Sequence, residues 1–270
     1  MIVRILIDNL TKSDLVPEWG LAVYVEYNGH QILLDTGSTG IFMDNASAMG
    51  IDMEQIEFGV LSHAHYDHAD GMAAFFAKNK KAKFYLRTQA AENCYGEKEG
   101  GLKYIGIHEG YLKQYRDRIA YVDGDYEIIP GVTLVPHKMP HMDVRGKKAG
   151  MYVKVNGRTC VDCFAHEQSL VFETEKGLVI FNSCSHGGAD NIIREIAMTY
   201  PGKKIYALIG GLHLFRSSEE EVRELASKIE ETGIEKIYTG HCTGDEAYDI
   251  LKKMPGDKVE QIYTGMEIRI

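Results

Sequence analysis

Cysteine is sparse and odd in number, with five residues at 94, 160, 163, 184 and 242 spread over 270 positions. A disulfide framework needs an even set in a short chain, so reduced thiols are the expectation. Long apolar runs are missing too. No stretch approaches the ~18 apolar residues of a membrane-spanning helix. The run Ile2 to Ile7 is broken by Arg4 and lacks a small-residue cleavage site, so it reads as a first strand and not as an export signal. The expected location is the cytoplasm, without a membrane partner. Positive charge is not in excess: 30 Lys and Arg against 39 Asp and Glu leave a net −9, which excludes a generally nucleic-acid-coating surface. There are six prolines and no Pro-rich linker, repeat or low-complexity tract, so one domain over 1–270 is preferred to two. At 44% hydrophobic and 26% charged residues, the chain has the make-up of a soluble globular protein able to bury a core. A homo-oligomer is compatible with this composition.

Short β-prone runs dominate the first quarter. Ala22 to Tyr27 and Gln31 to Leu34 flank Asn28-Gly29, a hairpin signal because both turn residues accept positive φ. Residues 40 to 49 are loosely helical, Phe58 to Leu61 reads as a strand, and Gly71 to Ala77 favours a helix. Residues 89 to 149 differ in texture, with Tyr95, Tyr104, Tyr111, Tyr115, Tyr121 and Tyr126 interleaved with Gly, Lys and Arg. This stretch is predicted to be an insertion forming a lid. Strands are expected again at 150 to 155, 169 to 173 and 178 to 181, followed by strand-helix units at 178 to 200 and 204 to 232 and a last strand at 235 to 238. Strands with hairpins first and helices later suggest stacked sheets flanked by helices.

The strongest chemical signal is His63-Ala64-His65-Tyr66-Asp67-His68, placed where the strand 58 to 61 ends. Three imidazoles and a carboxylate suit Zn²⁺ and other first-row divalent ions. At period two, His63 and His65 point the same way and can grip one ion, while Asp67 and His68 begin the next turn and can reach a second. As mere surface histidines, so many imidazoles at the end of an apolar strand would have no packing advantage.

With this cluster, Asp35-Thr36-Gly37 and the stretch Ser62-His-Ala-His-Tyr-Asp-His-Ala-Asp-Gly71, the chain resembles the metallo-β-lactamase superfamily. The resemblance implies an α/β fold, an αββα four-layer sandwich with the metals at the edge between its sheets. It implies two zinc ions, with iron and manganese as family variants. It also implies further ligands downstream, where three histidines follow apolar strands: His186, His213 and His241. His186 is assigned to the His63/His65 ion and His241 to the Asp67/His68 ion, with Asp35 orienting a ligand histidine from behind. Most superfamily hydrolases carry a bridging Asp after the strand equivalent to 178 to 181; here Cys184 stands there, either as a soft ligand or as a buried thiol. Cys-Ser-His186, Asn191-Ile192, Gly-Gly-Leu-His213-Leu and Thr-Gly-His241-Cys-Thr-Gly, together with Asp162 and Glu167-Gln168-Ser-Leu170, resemble more narrowly a subgroup of metal-dependent hydrolases. That subgroup includes an archaeal dihydropterin-ribofuranosylaminobenzene phosphate synthase.

Catalytic roles fall to Asp67 and to His213, whose imidazole would bind a substrate anion or donate a proton. Gly187 and Gly188, ahead of a helix, could offer backbone N–H groups to a phosphate, although a tight turn explains them equally well. Lys138, Arg145, Lys147 and Lys148 are the lid's candidate anion partners, and Cys160-Val-Asp-Cys163 reads as a chance pair on a strand. The expected chemistry is water activation against a small anionic substrate, a phosphoester with an aromatic ring fitting best. Three alternatives remain. A pterin-pathway synthase would condense and not hydrolyse, a non-catalytic sensor would only bind metal, and an iron redox enzyme is disfavoured because His65 stands where such members carry Glu.

Overall fold

Alternation along the strands decides which side chains enter which layer. On Gln168–Thr174, Leu170 and Phe172 face one core and Val171 the other; on Gly177–Phe181, Val179 and Phe181 oppose Leu178 and Ile180. A strand buried on both faces needs such near-continuous apolar sequence. In the computed structural model, which describes residues 1–270, two seven-stranded sheets form. The first has the spatial order Glu267–Arg269, Ile2–Ile7, Ala22–Tyr27, His30–Leu34, Phe58–Val60, Lys83–Arg87 and Ile119–Val122. The second runs Val259–Gln261, Lys236–Thr239, Ile205–Ile209, Gly177–Phe181, Gln168–Thr174, Val132–Pro136 and Tyr126–Ile129.

Between the sheets Val3, Ile5, Val25 and Ile32 meet Leu134, Phe172, Phe181 and Ile209. The outer face of the first sheet packs Leu6, Leu33 and Phe84 against Phe42 and Phe75 of the helices Ile41–Ala48 and Met72–Lys78. The outer face of the second packs Ile180, Leu208 and Ile237 against Ile192, Ile196 and Ile229 of the helices Ala189–Thr199 and Glu219–Glu230. The result is the metallo-β-lactamase fold, helices outside and two sheets within. Parallel pairing within each sheet brings the carboxyl ends of Leu34, Val60, Phe181, Ile209 and Thr239 to one edge, where open α/β sheets place their sites.

The stretch 89 to 149 is not one insertion. Ile119–Val122 closes the first sheet, and Tyr126–Ile129 with Val132–Pro136 close the second. The added structure is a four-stranded sheet, Arg158–Val161, Met151–Val155, Cys94–Lys98 and Gly101–Tyr104, with the helix Met142–Ala149 beside it. Its strands are separated in sequence, so texture alone could not delimit them. No helix is long and apolar enough to cross a membrane.

Candidate metal centre

Four of the loops at the shared edge leave their strands sharply. Asp35, Ser185, His213 and His241 all have positive φ, between 47° and 58°, a conformation that non-glycine residues hold only when the surroundings enforce it. These turns aim side chains back across the sheet ends.

The imidazoles are fixed by what grips their Nδ1 atoms. His68 Nδ1 donates to Asp35 Oδ2 at 2.8 Å, His186 Nδ1 to Glu167 Oε2 at 2.5 Å, and His241 Nδ1 to Asn9 Oδ1 at 3.2 Å. Ser62 Oγ donates to Asp35 Oδ2 at 2.7 Å and so accepts from His63 Nδ1 at 2.8 Å. In each case the bonding network leaves Nε2 free to point inward. Asp35 thereby orients two imidazoles at once, one directly and one through Ser62.

The free atoms converge on two points. His63, His65 and His186 bring ligand atoms within 4.8 Å of one another, and Nε2 of both His63 and His65 is buried without a hydrogen-bond partner. At the second point His68 Nε2 lies 3.2 Å from His241 Nε2, and Asp67 Oδ2 lies 3.9 and 3.6 Å from them. Cys184 Sγ is 3.2 Å from His68 Nε2 and also groups with His63, with His186 and with His241. It therefore stands between the two points. His213 groups with Cys184 and His186, and its Nδ1 is buried and unpartnered.

These donors fit a metal. Two neutral imidazoles in these tautomers turn lone pairs toward each other across 3.2 Å, a repulsion that a shared cation removes. Tetrahedral ligands about 2.0–2.3 Å from zinc lie roughly 3.3–3.7 Å apart, close to the separations at the second point. Burial and neighbouring histidines hold His63 and His65 well below the usual imidazole range, and burial with His68 does the same to His241; the neutral form is the one that ligates. Burial also pulls on His68, but the carboxylates of Asp67 and Asp35 outweigh it and raise its pKa. The thiols differ. Burial pushes Cys184 up, whereas at Cys242 the neighbouring Cys184 and His213 outweigh burial and bring it down.

Several supports had no assigned role in the sequence reading. Asp8 Oδ2 accepts the His241 backbone N–H at 2.8 Å and, chiefly by burial, is raised to about 7. Asp8-Asn9 ends an apolar strand just as His63 follows one, and that shared pattern could have flagged it. Glu167 also accepts from His137 Nε2 at 2.8 Å, and His137 Nδ1 meets Glu195 Oε2 at 3.1 Å, a buried relay behind His186. His166 Nδ1 accepts the Ala64 N–H at 3.2 Å, and its Nε2 donates to Asp162 Oδ2 at 3.0 Å.

A cavity of about 1100 Å³ opens above the centre. Its wall includes His65, Asp67, Cys184, His186, His213 and His241, and the cations Arg145, Lys147 and Lys148. Lys138 lies elsewhere, bonded to Asp125 and Thr199. Of the tyrosines expected to form a lid none lines the cavity; Tyr95 meets Tyr104, Tyr111 meets Tyr115, and Tyr115 packs with Phe76. The exposed rings at the mouth are Trp19 and Phe215, centroids 5.7 Å apart. The Gly187 and Gly188 amides are already used, by Glu167 Oε1 and the Ser185 carbonyl. That leaves no free N–H pair for a phosphate. Cys160 and Cys163 are exposed and away from the cavity.

The family model of the metallo-beta-lactamase superfamily matches residues 18–144. The 7,8-dihydropterin-6-methyl-4-(beta-D-ribofuranosyl)-aminobenzene-5'-phosphate synthase of Methanocaldococcus jannaschii is 26% identical over 92% of this chain and 87% of its own. An uncharacterized protein of the same organism is also 26% identical, over 93% and 94%. A solved metal-dependent hydrolase of the beta-lactamase superfamily superposes with a TM-score of 0.85 at 29% identity, covering 100% of this chain and 99% of that one. A diphosphatase of the PhnP family shares the fold, with a TM-score of 0.59 at 13% identity over 100% and 97% of the two chains. Signature, site geometry and whole-chain superposition agree: the chain has the metallo-β-lactamase fold, and residues 18–144 match the family model of that superfamily.

Proposed function

We propose that the protein is a metal-dependent hydrolase with a dinuclear zinc centre, acting on a small anionic substrate of the phosphoester class. The observation that carries this reading is the pair of convergence points, His63/His65/His186 and Asp67/His68/His241, with Cys184 between them. Bound there, two divalent ions supply Lewis acidity that polarises substrate oxygens and makes water acidic near neutral pH. The chain does the rest. Asp35, Glu167 and Asn9 hold the imidazoles in their ligating tautomers, and burial keeps water from competing for them. His213, half-buried on the cavity wall with an unpartnered Nδ1, is placed to hold a substrate oxygen or pass a proton to a leaving group. Trp19 and Phe215 offer ring faces to an aromatic portion, and the basic wall attracts the anion.

A second reading, condensation in place of hydrolysis, draws on the synthase relative, whose likeness runs over 92% of this chain. A cavity of about 1100 Å³ is roomy for a simple phosphoester and suits a substrate with more than one ring. One experiment separates the two. Protein stripped with a chelator and reloaded with zinc, manganese or iron is assayed against phosphomonoesters and phosphodiesters, and in parallel for condensation of a dihydropterin carrying a diphosphate on its 6-methylene carbon with an aminobenzene ribosyl phosphate, diphosphate being released. Metal-dependent ester turnover that is lost in His65→Ala and reduced in His213→Asn at unchanged metal content supports hydrolysis. Turnover only in the condensation assay overturns it, and binding of metal without turnover in either leaves the sensor reading.

A further inference from the structure

One cavity cation is built into the wall in a way the others are not. Lys148 is paired with Glu221 at 2.6 Å and Lys228 with Glu224 at 2.7 Å. Arg145, on the helix Met142–Ala149, instead rests its guanidinium on the backbone of Gly188: a Cβ there would come within 2.4–2.5 Å of Nη1, Cζ and Nη2. The helix itself is held close, because a Cβ at Gly146 would lie 1.8 Å from the Asp162 carbonyl oxygen. Beside the guanidinium stands Asp190, whose Oδ1 is 3.7 Å from Arg145 Nη2, too far for a hydrogen bond. That oxygen is buried without any hydrogen-bond partner. Arg145 is 38% exposed, faces the cavity that holds His186 and His213, and keeps its donors unspent on the protein.

We infer that Arg145, seated on Gly188 and steered by Asp190, is the arm that binds the phosphoryl group of the substrate, and so sets its specificity for a phosphorylated molecule. A seated guanidinium presents a planar fork that matches phosphate oxygens two at a time, with little side-chain entropy left to lose. Asp190 turns that fork by charge without filling it. This assignment also gives Gly188 its reason: with φ of 89° and no Cβ it makes the flat bed on which the arm lies. It rests on the reading of the substrate as anionic, not on the bond that is broken.

The test is calorimetric titration of the zinc-loaded protein with phenylphosphonate, which cannot be hydrolysed as an ester, and with benzoate, at fixed ionic strength. Arg145→Gln is expected to weaken phenylphosphonate about 10- to 100-fold, the range for a lost charge-assisted contact, with zinc content and thermal midpoint unchanged. Arg145→Lys recovers little, because the fork is gone. Gly188→Ala keeps the charge but removes the bed and weakens binding several-fold. Benzoate affinity falls less than phenylphosphonate affinity in each variant. Equal phenylphosphonate affinity in wild type and Arg145→Gln overturns the assignment, as does a loss that merely follows zinc content, or a wild type that binds benzoate as tightly. If no ester is turned over while phenylphosphonate still depends on Arg145, hydrolysis fails and the arm stands.

Discussion

Trp19 Nε1 donates a hydrogen bond of 2.8 Å to Asp67 Oδ2, the same oxygen that faces His68 and His241. The indole also lies 5.1 Å from the His241 ring, so the single tryptophan of the chain touches two candidate ligands of one ion. Adding zinc to the chelator-treated protein should therefore change tryptophan emission saturably, and Asp67→Asn should abolish most of that change. Trp19→Phe removes the donor that orients the carboxylate and should weaken zinc about tenfold, at the low end for loss of a ligand's outer partner. An unchanged zinc affinity in Trp19→Phe, read with a competing chelator, counts against the role.

Asp35 holds two imidazoles with one carboxylate, and its Oδ1 also accepts the Ser62 backbone N–H at 2.7 Å. Asp35→Asn exchanges an acceptor for a donor that opposes His68 Nδ1–H, while Ser62→Ala cuts only the branch to His63. Zinc affinity should fall 10- to 100-fold in the first variant and less in the second. Equilibrium dialysis against graded free zinc measures both. A larger loss in Ser62→Ala than in Asp35→Asn would reverse the assigned order of the two branches.

The dense signals were local, and these were legible in sequence. Six residues from His63 to His68 announce chemistry, and short apolar runs bounded by turn signals announce the sheets. What sequence could not rank is the company each ligand keeps: Glu167 meets His186 at a separation of 19 residues, Asp35 meets His68 at 33, and Asn9 meets His241 at 232. Such partners are ordinary polar residues until the fold closes. The Tyr-rich stretch misled for a related reason, since aromatic texture does not say which sheet a strand joins. Ile119–Val122 and Tyr126–Ile129 became sheet edges, and the aromatic rings that line the cavity came from Trp19, Tyr66 and Phe215 instead.

His137 gives the chain a pH signature on the alkaline side. Burial opposes its charge, but hydrogen bonds to Glu167 and Glu195 outweigh burial and raise it to about 9. A histidine raised above its unfolded value near 6.5 adds stability that is complete below that pH and is lost as pH climbs through the folded value. Zinc-free protein should thus lose on the order of 3 kcal/mol of unfolding free energy between pH 6.5 and 10 from this group, and His137→Gln should flatten that slope while lowering stability at pH 6.5. Urea unfolding at several pH values measures it. A wild-type curve as flat as the variant's would show that His137 is not held charged.

Ala64 sits between two candidate ligands, and its N–H is taken by His166, which Asp162 fixes from the other side. The contact spans 102 residues and ties the ligand loop to the small sheet's flank. His166→Leu leaves the buried N–H and the Asp162 carboxylate without their partner, a defect costing several kcal/mol. His166→Asn can keep an acceptor for Ala64 and a donor for Asp162. The leucine variant should therefore lose both thermal stability and zinc affinity, while the asparagine variant should regain more of the affinity than of the stability, because the smaller side chain restores hydrogen bonds but not volume. Parallel thermal melts and zinc titrations separate the two quantities. Full zinc affinity in a destabilised leucine variant would reduce His166 to a packing residue.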